Sequence, residues 1–244
     1  MFFFAPFFAV PALYILGIYV LAAVLPAVFL LRYIYRKDTV EPEPPLLLIR
    51  LLFMGVIAAL ISIVLESLGE SILNALVDPG SPWYTVLLAF FVVAVVEEGT
   101  KFFFLKRRTW YDPNFNYSFD GIVYAVFVSL GFAAYENILY VLRYGLSVAL
   151  PRALFAVPGH MSFAVFMGVF YGRAKLCEDC GQPVRKRLNL WRGYLTAVIL
   201  HGFYDSCAML GNTAAMLTFL VFVILMYIRV YRLLRRESAT DSPV

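Results

Sequence analysis

Residues 83–105 read WYTVLLAFFVVAVVEEGTKFFFL, and this stretch is long enough to cross a lipid bilayer. Two adjacent carboxylates, Glu97 and Glu98, interrupt the apolar run, and Lys101 follows them. Placing one ionisable group in hydrocarbon costs several kcal/mol, and two adjacent like charges cost more. A buried pair of this kind therefore indicates a role in handling a proton, an ion or a metal, or in a reaction.

The composition of the whole chain indicates an integral membrane protein. Of its 244 residues, 62% are hydrophobic and only 15% are charged, and the mean hydropathy is +0.81. A soluble domain of this size could not cover so much apolar surface with so few polar side chains. The first apolar run lacks a preceding basic segment and continues to Leu31 without a small-residue cleavage site, which favours an uncleaved first span over a signal peptide.

Seven apolar stretches meet the length of about 20 residues that a transmembrane helix needs. They are residues 9–31, 46–66, 83–105, 120–141, 153–173, 192–210 and 213–231. We therefore predict an all-α fold, a polytopic transmembrane helix bundle of about seven spans. Residues 1–236 are expected to form one transmembrane domain with its core at 83–210, and residues 237–244 a short polar tail.

The positions of lysine and arginine predict how this bundle is oriented. Basic residues are concentrated in the loops after spans 1, 3 and 5 and in the C-terminal tail, whereas the loops after spans 2 and 6 hold none. The loop after span 4 holds only Arg143 and Arg152. By the positive-inside rule, the N-terminus is outside and the C-terminus is cytoplasmic. Glu66, Glu70 and Asp78 are then expected to form a solvated rim in the outer loop after span 2.

Four of the predicted spans carry polar residues, and the other three are largely apolar. The polar residues are Glu97, Glu98 and Lys101 in span 3, Glu136 and Asn137 in span 4, His160 in span 5, and His201 and Asp205 in span 6. The two histidines are the only ones in the chain. Each residue alone could serve as an interhelical hydrogen bond or part of a neutralised ion pair. The whole set exceeds what the packing of a helix bundle needs, and it predicts a functional site.

Helix geometry places several of these side chains on shared faces. His201 and Asp205 are four residues apart, as are Glu97 and Lys101, so each pair projects from one side of its helix. Glu98 lies three residues from Lys101, which could therefore neutralise either carboxylate. At about 1.5 Å per residue, Glu97 lies about 20 Å from the outer end of its span. Tilted or kinked helices could bring the whole set together in the middle-to-outer half of the membrane.

The residue types suit metal-assisted hydrolysis. A catalytic Zn²⁺ ion typically takes two histidines and a carboxylate from the protein and keeps one position for water. His160 and His201 would supply the imidazoles, and Asp205 or Glu136 the carboxylate. We therefore predict these four residues as candidate metal ligands and Zn²⁺ as the cofactor.

The remaining polar residues suit the other roles in peptide hydrolysis. Glu97 or Glu98 would take the proton from the water and pass it to the leaving amine. Asn137 or Lys101 could stabilise the oxyanion. The same residues also suit a metal-free reaction, in which Glu97 or Glu98 activates water directly.

Two other classes of function compete with an enzyme. Intramembrane acids and histidines also form proton relays in transporters, although no repeat between the halves of the chain is visible. A non-catalytic immunity or scaffolding protein is the other alternative. Nucleic-acid binding is not expected, because the basic C-terminal residues most simply contact anionic lipid. Cys177 and Cys180 favour a tight turn over half of a zinc knuckle.

Four motifs in a fixed order resemble a known family. They are EEGTK as E-E-x-x-K, YEN within DGIVYAVFVSLGFAAYENILY, PGHMSFAVFMGVFYG, and HGFYD as H-x-x-x-D. Together they resemble the PrsW family of intramembrane proteases and, more remotely, the superfamily of CAAX prenyl endopeptidases and bacteriocin-immunity proteins. The resemblance covers roughly residues 83–210, and the order of the motifs is specific. Tyr135 departs from the pattern, because phenylalanine is expected before Glu-Asn.

The resemblance implies a multi-pass enzyme of a prokaryotic cell membrane, classed in that family as a metallopeptidase. The family's best-known role is the first cut of an anti-sigma factor near the outer membrane face, so a single-pass membrane substrate within the lipid bilayer is the implied partner. The family's functional residues carry over, motif by motif, to Glu97, Glu98, Lys101, Glu136, Asn137, His160, His201 and Asp205.

Overall fold

Seven long helices account for most of the chain in the computed structural model, which describes residues 5–244, with side chains from Leu13 onward. The helices are α1 (Ala5–Tyr35), α2 (Pro45–Leu76), α3 (84–109), α4 (Asp120–Tyr144), α5 (Leu146–Asp179), α6 (Pro183–Met209) and α7 (Thr213–Ala239). The described residues form no β-strand, and their one isolated bridge joins Tyr117 to Pro243. The predicted all-α bundle is confirmed.

Five of these helices are long and apolar enough to cross a membrane, namely α1 from Leu13 onward, α2, α4, α5 and α7. Helices α3 and α6 are not among the five, and they carry Glu97, Glu98, Lys101, His201 and Asp205. Helix α3 packs against α2 and α6, and α6 packs against α5. The two most polar helices therefore lie against the apolar ones.

Helix α4 is the centre of the bundle, and every residue from Asp120 to Ala133 is buried. It packs against α1, α2 and α5. Its contact with α2 is close enough to require glycine on both sides. A Cβ atom at Gly131 would lie 2.2 Å from the carbonyl oxygen of Leu52, and one at Gly55 would lie 2.0 Å from that of Val128. This contact holds α2 close beside α4.

Short π-helical segments lie just before two of the polar motifs. One is Leu88–Ala94, directly before the turn that carries the paired glutamates, and the other is Arg152–Ala156, directly before the turn that carries the first histidine. A π-helical turn widens the helix and is frequent at functional sites.

Pro158 has no N–H, so the carbonyl oxygen of Leu154 loses its helical donor. The Tyr227 hydroxyl donates to that oxygen at 3.0 Å.

The observed helices are longer than the predicted spans, and the largest extension at a single end is in α2. This helix continues to Leu76, ten residues beyond the predicted end at residue 66. The prediction that Glu66 and Glu70 lie in an outer loop is therefore wrong. The segment after residue 66 reads SLGESILNAL, in which helix-forming residues continue the helix although its polarity rises. Asp78 lies in the turn that follows.

The segment between α5 and α6 is the tight turn that its sequence predicts. The backbone N–H of Gln182 donates to the carbonyl oxygen of Cys177 at 2.8 Å. Gly181 has φ +68°, a left-handed conformation that favours glycine. Cys177 and Cys180 are both free thiols.

Candidate active site

The polar residues of α3, α4, α5 and α6 meet inside the bundle, beside a cavity of about 510 Å³. Its lining includes both histidines and several charged side chains, namely His160, His201, Glu66, Glu97, Glu136, Arg152 and Asp205. Tyr140, Pro151 and Met209 also line the cavity. Each lies near one end of its helix, in α4, α5 and α6 respectively. These three ends are remote from the basic last turn of α3. The cavity thus leads from the buried polar residues toward the end of the bundle that the basic residues predict to be outside.

Lys101 is the centre of the buried charges. Its Nζ atom donates to Glu97 Oε2 at 2.9 Å, to Glu98 Oε1 at 2.8 Å and to His160 Nδ1 at 3.2 Å. An ammonium group has three donors, and all three are used here. Nζ also lies 4.0 Å from the centre of the Phe132 ring, a cation–π contact. Lys101 thus contacts both carboxylates on its own helix, as their spacing predicts.

Two groups hold the ring of His160. Its Nδ1 accepts from Lys101, so Nε2 carries the ring proton and donates to Glu136 Oε2 at 2.9 Å. The backbone carbonyl of the same residue accepts a hydrogen bond from Ser129 Oγ at 2.9 Å. The ring orientation of His160 is therefore set by side chains of α3 and α4.

His201 lies between two carboxylates. Its Nδ1 is 2.9 Å from Glu98 Oε1, and its Nε2 is 3.2 Å from Asp205 Oδ2. The ring stacks on Phe163 with centroids 4.8 Å apart and an interplanar angle of 19°. The predicted alignment of His201 with Asp205 on one helix face is present.

Glu97 faces both histidines. Its Oε2 atom is 4.0 Å from His160 Nδ1 and 4.0 Å from His201 Nε2. Each of the three residues offers one donor atom, and these atoms lie within 4.8 Å of one another. Glu136 and Glu98 contact the other nitrogen of each ring, the arrangement that orients histidine ligands in metal sites.

Two imidazoles and one carboxylate make a donor set that Zn²⁺ accepts. Net charge also favours a cation. Five described carboxylates lie in or beside the cavity, those of Glu66, Glu97, Glu98, Glu136 and Asp205. Among the described side chains, the only permanent cations in contact with this group are Lys101 and Arg152. The residue types therefore fit a metal, which would have to replace the Lys101 ammonium at His160 Nδ1. The third ligand in this set is Glu97 and not the predicted Asp205 or Glu136.

Asn137 lies away from the cavity. Its Nδ2 donates to the carbonyl oxygen of Ala23 on α1 at 2.6 Å, and its Oδ1 accepts from Arg152 Nε at 2.7 Å. Arg152 also donates from Nη2 to Glu136 Oε2 at 2.8 Å and stacks 3.8 Å from the centre of the Tyr140 ring. The amide therefore links α1 to the arginine, and the arginine reaches the cavity.

Sequence reasoning missed two charged residues that line the cavity, Arg152 and Glu66. Oε1 of Glu66 is buried and has no hydrogen-bond partner in the described part of the chain. The sequence carries no direct signal for Glu66, because only the structure shows that its helix face meets α3, through Ser62 Oγ at 2.8 Å from Thr100 Oγ1. It carries none for Arg152 either, because an arginine just before a span is usually an interface anchor.

Comparisons with known proteins identify the family. The family described as PrsW family intramembrane metalloprotease matches residues 43–230. The chain belongs to the PrsW family. Protease PrsW of Geobacillus kaustophilus is 36% identical over 184 residues, which cover 75% of this chain and 76% of that protein. For Protease PrsW of Oceanobacillus iheyensis the identity is 34% over 221 residues, covering 90% and 96%. For that of Bacillus subtilis it is 33% over 204 residues, covering 83% and 88%. No solved structure matches.

Membership of the PrsW family confirms three predictions from the sequence. The chain is an enzyme, an intramembrane protease. It is a multi-pass membrane protein of bacterial type, in agreement with its five apolar helices. A protease embedded in this way acts on membrane substrates within a lipid bilayer.

Replacing Lys101 with methionine is expected to destabilise the bundle. The change keeps the length of the side chain but leaves Glu97 and Glu98 without their shared cation, and removing one partner of a buried ion pair costs about 3–5 kcal/mol. The thermal unfolding midpoint in detergent measures the loss. Lys106→Met is the matched control, because Lys106 is exposed on the same helix. Equal midpoints for the two variants would show that Lys101 does not balance the buried acids.

Proposed function

We propose that this protease cleaves single-pass membrane proteins, such as an anti-sigma factor, near the outer membrane face, with a water molecule held between Glu97, His160 and His201. One observation carries the proposal. The donor atoms of these three residues lie within 4.8 Å of one another beside the cavity of about 510 Å³. The predicted orientation of the bundle makes that cavity accessible from the outer side.

Of the paired glutamates, Glu97 is the better candidate for the general base. It lines the cavity, and its Oε2 faces a nitrogen of each histidine at 4.0 Å. Glu98 is 0% exposed, and its Oε1 already contacts both Lys101 and His201. Glu98 therefore acts through the groups it holds, as a positioning residue for His201 and Lys101.

The same three residues would hold the metal of a metallopeptidase. Bound there, Zn²⁺ would lower the pKa of the water and polarise the scissile carbonyl. The metal-free alternative uses the same atoms, because a gap of 4.0 Å between a carboxylate and an imidazole also suits a bridging water. In both cases Glu136 and Glu98 fix the ring orientations and Lys101 balances the acids.

Proton transfer in the reaction then follows the positions of the side chains. The water oxygen bonds to the carbonyl carbon of the substrate, and its proton passes to a carboxylate oxygen of Glu97, which with a metal bound would be the oxygen that does not ligate it. The carbon–nitrogen bond breaks, and Glu97 returns the proton to the leaving amine nitrogen. Arg152 is the proposed donor to the developing oxyanion, because it lines the cavity. Lys101 has no donor left and Asn137 does not line the cavity, so neither retains that role in this proposal.

Cleavage in reconstituted vesicles tests this function. The purified protein would be mixed with a single-pass membrane protein carrying a fluorescent group, and the products would be mapped by mass spectrometry. We expect one cut near the predicted outer end of the substrate helix, lost on chelation and restored by Zn²⁺. A cut at the cytoplasmic end would contradict the predicted orientation, and absence of any cut in a panel of such substrates would contradict the proposed substrate class.

A further inference from the structure

Three buried carboxylates outside the active site form a second cluster of acidic groups. They belong to Asp38 and Glu43, in the connector between α1 and α2, and to Asp120, the first residue of α4. Each offers one oxygen, and these oxygens lie within 4.8 Å of one another. The three residues are 4%, 3% and 1% exposed, so the cluster is enclosed by protein.

Among the described side chains, no basic group forms an ion pair with this cluster. Within residues 13–244, none of the ion pairs includes Asp38, Glu43 or Asp120. The active site differs in this respect, because Lys101 and Arg152 contact its acids. Burying several carboxylates without a cation is strongly unfavourable.

Two oxygens of the cluster are also left without a hydrogen-bond donor. Oδ1 of Asp38 and Oε2 of Glu43 are buried and have no partner among the described residues. The other carboxylate oxygen of Asp38, Oδ2, accepts from the backbone N–H of Glu43 at 3.3 Å. Asp120 Oδ2 accepts from the backbone N–H groups of Asn116 and Tyr117 at 3.1 and 2.7 Å. The backbone thus holds Asp38 and Asp120 in place, while Asp38 and Glu43 each keep one buried oxygen without a donor.

The charge state of the connector residues agrees with a missing cation. Burial raises the pKa of Asp38 to about 6, and the nearby acids raise it further. Burial also raises the pKa of Glu43 to about 9, with Asp120 adding to the effect. A bound positive charge would oppose both shifts, because it favours the charged form of each carboxyl group.

We propose that Asp38, Glu43 and Asp120 form a binding site for a divalent cation, separate from the active site and independent of the function proposed above. The donors are oxygens only, without histidine or cysteine, so the site suits a hard cation such as Ca²⁺, Mg²⁺ or Mn²⁺ and not Zn²⁺. By the predicted orientation it lies on the cytoplasmic side.

The position of the site gives the cation a structural role. The cation would tie the connector after α1 to the start of α4, the central helix. The C-terminal tail closes over the same region, because Asp241 Oδ1 accepts from the Phe119 N–H at 2.8 Å and Ser238 Oγ donates to the Lys37 carbonyl at 2.7 Å. The cation would therefore stabilise the packing of α1 and of the tail on the bundle.

Thermal unfolding of the full chain in an uncharged detergent tests this site. After EDTA treatment and removal of the chelator, millimolar Ca²⁺, Mg²⁺ or Mn²⁺ is added in separate samples. We expect at least one of them to raise the unfolding midpoint by about 5 °C. The shift should be lost in Asp38→Asn and in Glu43→Gln. It should persist in Glu41→Gln, a control because Glu41 is an exposed carboxylate of the same connector.

Two further arms keep this result separate from the active site. His160→Ala removes an active-site donor and should keep the shift. Electron paramagnetic resonance of added Mn²⁺ should show a bound ion in the unaltered protein and the same bound ion in His160→Ala. The proposal is overturned if none of the three cations shifts the midpoint of the unaltered protein, or if Glu43→Gln keeps the shift in full.

Discussion

Replacing Glu97 with glutamine is expected to reduce peptide-bond cleavage by about a thousandfold or more, within the range for loss of a general base. The amide keeps the shape of the side chain but cannot accept the proton of the water. It also weakens the contact with Lys101, whose Nζ lies 2.9 Å from Glu97 Oε2. Initial cleavage rates in vesicles, at equal amounts of inserted protein, measure the effect.

The control for this variant is Glu70→Gln. Glu70 lies on α2, is exposed and is not part of the cavity lining, so its replacement should leave cleavage unchanged. Glu98→Gln separates the paired glutamates, because a positioning residue should give a smaller loss than the base. If Glu97→Gln cleaved at the rate of the unaltered protein while Glu98→Gln were inactive, the two roles would have to be exchanged.

Replacing His201 with alanine is expected to abolish cleavage as well. The change removes one of the three donors around the water and leaves Glu98 without the imidazole that contacts its Oε1. His160→Ala should have the same consequence for the reaction, because its Nδ1 faces the same Glu97 oxygen. Cleavage rates and unfolding midpoints measured together separate a lost reaction from a lost fold.

Glu136→Gln supplies a graded comparison with these histidine variants. Glu136 contacts Nε2 of His160 and is proposed to orient the ring, and loss of such a partner typically costs about 10–100-fold in activity or metal affinity. The expected order is therefore a partial loss for Glu136→Gln and a complete loss for His160→Ala. The reverse order would indicate that Glu136 itself takes part in the reaction.

Several features of the site could be predicted because they depend on one helix at a time. Helix periodicity alone places Lys101 beside both glutamates and His201 beside Asp205, and the structure shows these contacts. The apolar runs predicted the all-α bundle for the same reason, since each helix forms its hydrogen bonds within itself. The predicted spans were shorter than the helices, because each apolar stretch ends before its helix does.

Other features depend on how the helices pack, and the sequence carries no direct sign of them. Glu66 reaches the cavity because Gly55 and Gly131 let α2 approach α4 closely. Arg152 faces the cavity from a π-helical segment that no periodicity argument predicts. Asn137 was expected near the oxyanion, but only the packing of α1 shows that its amide donates to Ala23.

The acidic cluster at the other end of the bundle shows the same limit. Asp38 and Glu43 lie far from Asp120 in the sequence, and an acidic connector is ordinarily solvated. Their burial follows from the fold of the connector and the C-terminal tail over the start of α4. Their spacing in the sequence gives no reason to place the three carboxylates in one cluster.

Metal analysis of the detergent-purified protein, beside the His160→Ala variant, shows whether Glu97, His160 and His201 hold a metal. We expect about one Zn²⁺ per chain in the unaltered protein, little in His160→Ala, and cleavage that follows the metal content. The contradicting result is an unaltered protein that contains no metal and still cleaves at its full rate after exhaustive chelation. That result would leave Glu97 as a base that activates water without a metal.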